Sequence, residues 1–61
     1  MPLPRFVVDI LVPRFTTAQL ALIEQHWDRY ADISFGSATQ GQLVRTAKMV
    51  LQHASEIKVS Q

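Results

Sequence analysis

Residues 5–13, Arg5-Phe-Val-Val-Asp-Ile-Leu-Val-Pro13, decide the fold of this chain. The run is rich in β-branched side chains and is bounded by prolines at both ends, which favours a β-strand over about 5–12. Alternate side chains of a strand face opposite sides. One face, predicted to be buried, carries Phe6, Val8, Ile10 and Val12. The opposite, outward face carries Arg5, Val7, Asp9 and Leu11.

Two amphipathic helices are predicted after the strand, within a single domain of residues 1–61. The first runs over about 17–31 with Thr16 or Thr17 as its N-cap, and its apolar stripe includes Trp27. The second runs over about 39–55 with Ser37 or Thr39 as its N-cap. Its broad apolar arc includes Leu43, Ala47 and Val50. Residues 58–61 are predicted to be a frayed tail.

A lone strand implies a second copy of the chain, because its backbone N–H and C=O groups need a partner. The 61 residues include no cysteine, so no disulfide compensates for the small core of so short a chain. A hydrophobic content of 48% also favours self-association. We therefore expect a homodimer. Its core is expected to contain Phe6, Val8, Ile10, Val12, Trp27, Leu43, Ala47 and Val50.

Composition and motifs exclude several classes of protein. Six Lys or Arg side chains against five Asp or Glu are too balanced to indicate nucleic-acid binding by charge alone. No apolar run approaches the ~18 residues of a membrane span, and no signal peptide is recognisable, so we expect a cytoplasmic protein. No nucleophile–base set, carboxylate pair or Gly-rich loop is present, which predicts neither an enzyme nor a cofactor. His26 and His53 lie on different predicted helices, and no metal site is predicted.

The order strand, helix, helix resembles the ribbon-helix-helix family of small dimeric DNA-binding regulators. The segments that carry the resemblance are Leu11-Val12-Pro13 and Gln42-Leu43-Val44-Arg45-Thr46-Ala47. The resemblance implies a β-α-α fold in an intertwined homodimer, with an intermolecular antiparallel two-stranded ribbon that enters the major groove. It also implies that the start of the second helix holds a phosphate. The implied base-facing residues are Arg5, Val7, Asp9 and Leu11. The implied phosphate-contacting residues are Arg14, Thr39, Gln40 and Gly41.

The leading prediction is thus a sequence-specific DNA-binding regulator: a repressor, an antitoxin-like protein or a plasmid or phage regulatory protein. The nearly continuous apolar run also fits a ribbon covered on both faces. In that case the protein is a dimeric interaction adaptor or inhibitor that exposes Val7, Leu11 and Leu22 to a partner. A third possibility is a tautomerase with Pro2 as its catalytic amine, but such a chain needs a second long strand that this sequence does not provide.

Overall fold

The computed structural model describes residues 3–59, with side chains described for residues 3–56. This part of the chain forms three α-helices: α1 (Arg5–Leu11), α2 (Thr17–Tyr30) and α3 (Gln40–Val59). The strand predicted over about 5–12 is therefore wrong, because that segment is helical. The helix predicted over about 39–55 continues to Val59, and Ser60 and Gln61 lie outside the described residues.

The two prolines that flank the first segment define a short helix rather than a strand. Pro4 has a φ of −58°, and its carbonyl accepts hydrogen bonds from the N–H groups of Val7 and Val8, both at 3.1 Å. Proline suits the start of a helix because its φ is already helical and its missing N–H would have no partner there. Pro13 stands just beyond the end of α1, where the helix no longer continues.

Burial explains why α1 is helical. Side chains four residues apart lie on one side of a helix, and Leu3, Val7 and Leu11 are all buried in the core. Val7 and Leu11, which were predicted to face outward, are completely buried. Phe6 and Val12, which were predicted to be buried, are 48% and 53% exposed. The other two side chains of the predicted buried face are half-buried: Val8 and Ile10.

The ribbon-helix-helix fold is contradicted by this arrangement. No strand is present in residues 3–59, so there is no intermolecular ribbon. The backbone groups of α1 form their hydrogen bonds within their own segment, and its apolar side chains pack within their own chain. The homodimer was predicted from an unpaired strand, and without that strand the prediction loses its structural basis.

The core lies between α2 and α3, with α1 packed against α3. Trp27, Leu43, Ala47 and Val50, which were predicted for a dimer core, are buried within the core of one chain, together with Ile23. With twenty residues and a length of about 30 Å, α3 sets the 35 Å long dimension of the molecule. Across residues 3–59, no helix is both long and apolar enough to cross a membrane.

The loop between α2 and α3 is anchored by aromatic packing. The Phe35 ring stacks on Trp27, with ring centroids 5.8 Å apart and planes 15° apart. Phe6 meets the same Phe35 ring edge-on at 6.2 Å, so its exposed side chain still covers the loop. These contacts fix where α3 begins relative to α1 and α2.

Candidate nucleic-acid interface

Helix α3 begins with a reciprocal cap that uses one N–H group of its first turn. The Thr39 hydroxyl accepts from the Gln42 N–H at 3.2 Å, and the Gln42 side-chain oxygen accepts from the Thr39 N–H at 2.8 Å. The Leu43 N–H donates to the Thr39 carbonyl at 3.0 Å. The N–H groups of Gln40 and Gly41 therefore lie in the part of the first turn where a helix offers no acceptor of its own.

An open pocket of about 400 Å³ lies against this helix start. We call it the basic pocket. Its lining residues are Arg14, Gln40, Gly41, Val44, Arg45 and Lys48. Three of these six residues carry a positive charge, and none is acidic or aromatic. The turn between α1 and α2 contributes Arg14, and the first three turns of α3 contribute the rest.

Arg14 is held in place by the end of α1. Its guanidinium donates through Nη1 to the Ile10 carbonyl at 2.7 Å, and its backbone N–H donates to the Leu11 carbonyl at 2.9 Å. Carbonyls at the end of a helix lack intrahelical donors and attract cations. A guanidinium has five N–H donors, so this anchoring leaves others available to a ligand in the pocket.

The charges around the basic pocket are not neutralised within the described part of the chain. Arg45 and Lys48 have no described carboxylate within ion-pair distance. Other carboxylates have partners of their own: Asp9 lies 3.6 Å from Arg5, and Glu56 lies 3.8 Å from His53. Glu24 accepts a hydrogen bond from the Leu3 N–H at 3.2 Å. Like charges gathered without a counter-charge repel one another, so an anion in this pocket would be stabilised.

Gly41 has no structural requirement to be glycine. No described residue has a positive φ, and a Cβ built at Gly41 would meet nothing within 4 Å. Glycine in a helix is less favourable than alanine by up to ~1 kcal/mol. The fold thus carries a small cost at a residue that lines the basic pocket.

The structure places together three of the four residues predicted to contact phosphate. Arg14, Gln40 and Gly41 line the basic pocket, and Thr39 caps the helix beside it. Sequence reasoning did not assign Arg45 or Lys48 to this site. The sequence does contain a signal for these two residues: Gly41, Arg45 and Lys48 follow one another at intervals of four and three residues, which places them on one side of a helix. No acidic residue occurs in α3 before Glu56.

The residues predicted to read bases do not form a surface. Val7 and Leu11 are completely buried, so neither contacts DNA or a protein partner from this position. Arg5 and Asp9 are exposed and pair with each other across one turn of α1, in solvent where such a pair contributes little. Leu22, the third residue of the predicted adaptor surface, is half-buried.

The two histidines meet at a tyrosine rather than at a metal site. The Tyr30 ring stacks on His53 at 4.8 Å, and His26 lies 6.2 Å from the same ring. Within the described residues, no group of three or more His, Cys, Asp or Glu side chains is placed to hold a metal ion. Pro2, the residue on which a tautomerase would depend, lies outside the described residues.

Comparison of the chain with protein-family models, with curated proteins and with solved structures finds no match.

Proposed function

We propose that this protein is a small DNA-binding regulator that grips the phosphate backbone of its target in the basic pocket. The observation that carries the proposal is the convergence of three cations, Arg14, Arg45 and Lys48, on one concave surface. Binding of Lys and Arg to phosphates releases condensed counterions, which supplies much of the affinity of DNA-binding proteins. A net charge of +1 for the whole chain is compatible with this activity because three of the six Lys and Arg side chains line one pocket.

The lining of the pocket favours the phosphate backbone of a nucleic acid over a free nucleotide. No aromatic side chain lines the pocket, so a nucleobase has no ring on which to stack. The pocket is open, and its three cations are exposed, two on α3 and one on the turn before α2, which suits a backbone that passes along it. The two N–H groups of the first turn add donors to the same place.

Removal of the pocket cations tests the proposal directly. The Arg45→Gln, Lys48→Gln double variant should bind a labelled duplex about 10- to 100-fold more weakly near 0.1 M salt. The slope of log affinity against log salt concentration should fall by about 2, because two phosphate contacts are lost. Fluorescence anisotropy titrations between about 50 and 200 mM salt measure both quantities.

A matched control removes the same charge elsewhere. Arg5→Gln, Arg29→Gln lowers the net charge by the same amount, but these two side chains lie on α1 and at the end of α2. The control should keep nearly the wild-type salt slope. An equal loss in both double variants, or a wild type without salt-dependent binding, would contradict the proposal. Saturable ATP binding without DNA binding would make the pocket a small-anion site and would also overturn it.

A further inference from the structure

The outward surface of α3 carries a stripe of three side chains next to the basic pocket. Arg45, Met49 and Gln52, which we call the outward stripe, are all exposed, and Met49 is 38% exposed although it is apolar. Their spacing of four and three residues places them within about 60° of one another around the helix. From Arg45 to Gln52 the stripe extends about 10 Å along the helix axis.

The opposite side of α3 holds the stripe rigid. Leu43, Ala47, Val50 and Ala54 are buried against the rest of the chain, so the helix axis is fixed by the core. A side chain on a well-packed helix meets a ligand with less loss of conformational freedom than one on a loop. The stripe also continues directly from the basic pocket, because Arg45 belongs to both.

Resting on the proposed function, we infer that the outward stripe enters the major groove of duplex DNA and reads base edges there. Arg45 keeps its phosphate at the edge of the groove, and the next two side chains of the stripe face the bases. The Gln52 amide pairs with adenine. The Met49 thioether offers an apolar contact to a thymine methyl group. A length of about 10 Å covers about three base pairs at 3.4 Å each.

Charge and shape favour duplex DNA as the occupant of this surface. The exposed side of α3 is positively charged from Arg45 to Gln52, and the phosphates on both sides of a groove are negative. The major groove of B-DNA is about 12 Å wide and admits an α-helix, whereas that of duplex RNA is too narrow for side chains to read. No aromatic ring lies on the stripe, as a surface for unstacked single strands would require.

Glu56 defines the far end of the stripe. It lies one turn beyond Gln52, and its carboxylate is 3.8 Å from the His53 ring nitrogen. A carboxylate at this place would meet the backbone phosphates unfavourably if the groove extended so far along α3. The contact with DNA is therefore expected to end near Gln52.

Selection from a random duplex library by the 61-residue chain tests the inference. We expect a preferred site with a core of about two base pairs, one read by Met49 and one by Gln52. Against that site, Gln52→Ala should lose discrimination at one base pair by roughly 5- to 150-fold while its affinity for random duplex is unchanged. Gln25→Ala, at an exposed position of α2, is the matched control and should keep the full preference. Circular dichroism checks that both variants are folded.

The outcomes separate this inference from the proposed function. Salt-dependent binding with no base preference would overturn the groove-reading stripe and leave backbone binding in place. A preference that Gln52→Ala and Met49→Ala both leave unchanged would overturn the stripe as well, as would tighter binding to duplex RNA or to a single strand. An absence of any DNA binding would overturn both proposals.

Discussion

Helices α2 and α3 begin in the same way, but the surfaces that follow their starts differ in charge. Each opens with Thr-x-x-Gln, and in both the threonine and the glutamine side chains cap each other's backbone N–H groups. Counted from the two threonines, Leu22 of α2 corresponds to Arg45 of α3, and Gln25 corresponds to Lys48. Before Arg29, α2 carries acidic residues and no Lys or Arg, whereas α3 carries two cations before its first acid.

This difference shows that a capped helix start is not enough to make a site. Both starts present free N–H groups and the positive end of a helix dipole. The start of α3 also lies beside Arg14, which α1 anchors, and is followed by its own cations on the same side. Substitutions at corresponding positions of the two helices therefore separate what the cap contributes to stability from what α3 contributes to binding.

The largest effect on stability is expected from substitutions one turn beyond the N-cap of each helix. Leu43 is almost completely buried, whereas the corresponding Leu20 of α2 is half-buried. Leu43→Ala should lower the free energy of unfolding by about 2–5 kcal/mol, a large part of the stability of so small a domain. Leu20→Ala should cost about 1–2 kcal/mol, because less apolar surface is lost. Urea unfolding followed by circular dichroism measures both, and equal losses would contradict the burial difference.

Helices α2 and α3 could be predicted from the sequence because their signals are local. A threonine cap and a 3.6-residue apolar repeat need no knowledge of the rest of the fold. The segment of α1 has no such signal: six residues from Phe6 to Leu11 fit a strand by β-branched content and a helix by the spacing of Val7 and Leu11. A short apolar run between prolines does not distinguish the two by periodicity. The helix is favoured because it buries Leu3, Val7 and Leu11 together in the core.

Part of the candidate site could be predicted from the sequence for a related reason. The resemblance to ribbon-helix-helix proteins implied Gln40 and Gly41 as phosphate contacts at the start of a helix. The free N–H groups of a helix start do not depend on whether a ribbon precedes it. Arg45 and Lys48 were missed because the charge of the whole chain is nearly balanced. Only the folded arrangement shows that Arg14 joins them while Asp9 and Glu56 pair elsewhere.

Removal of either cap should have a smaller effect on stability, of similar size in both helices. Thr16→Ala and Thr39→Ala each remove a hydroxyl that accepts from a backbone N–H, which should cost about 1 kcal/mol. DNA affinity should fall for Thr39→Ala, because the first turn of α3 is less well ordered, and remain unchanged for Thr16→Ala. Thermal unfolding and duplex titration on the two variants check this, and equal effects on affinity would remove the distinction between the helix starts.

The smallest effect on stability is expected for Gly41→Ala. This variant is also the most specific test, because stability and DNA affinity should change in opposite directions. Gly41 of α3 corresponds to Ala18 of α2, and a Cβ at Gly41 would meet nothing within 4 Å. Gly41→Ala should therefore raise the free energy of unfolding by roughly 0.5–1 kcal/mol, and Ala18→Gly should lower it by a similar amount.

The added methyl group of Gly41→Ala would stand where a phosphate approaches the two free N–H groups, so this more stable variant should bind duplex DNA more weakly. Unfolding and anisotropy measurements on the same preparations give both quantities. A variant that is more stable and binds as tightly as the wild type would show that Gly41 does not lie at the point of closest approach. In that case phosphate contact at this surface would depend on the side chains of Arg14, Arg45 and Lys48 rather than on the backbone of α3.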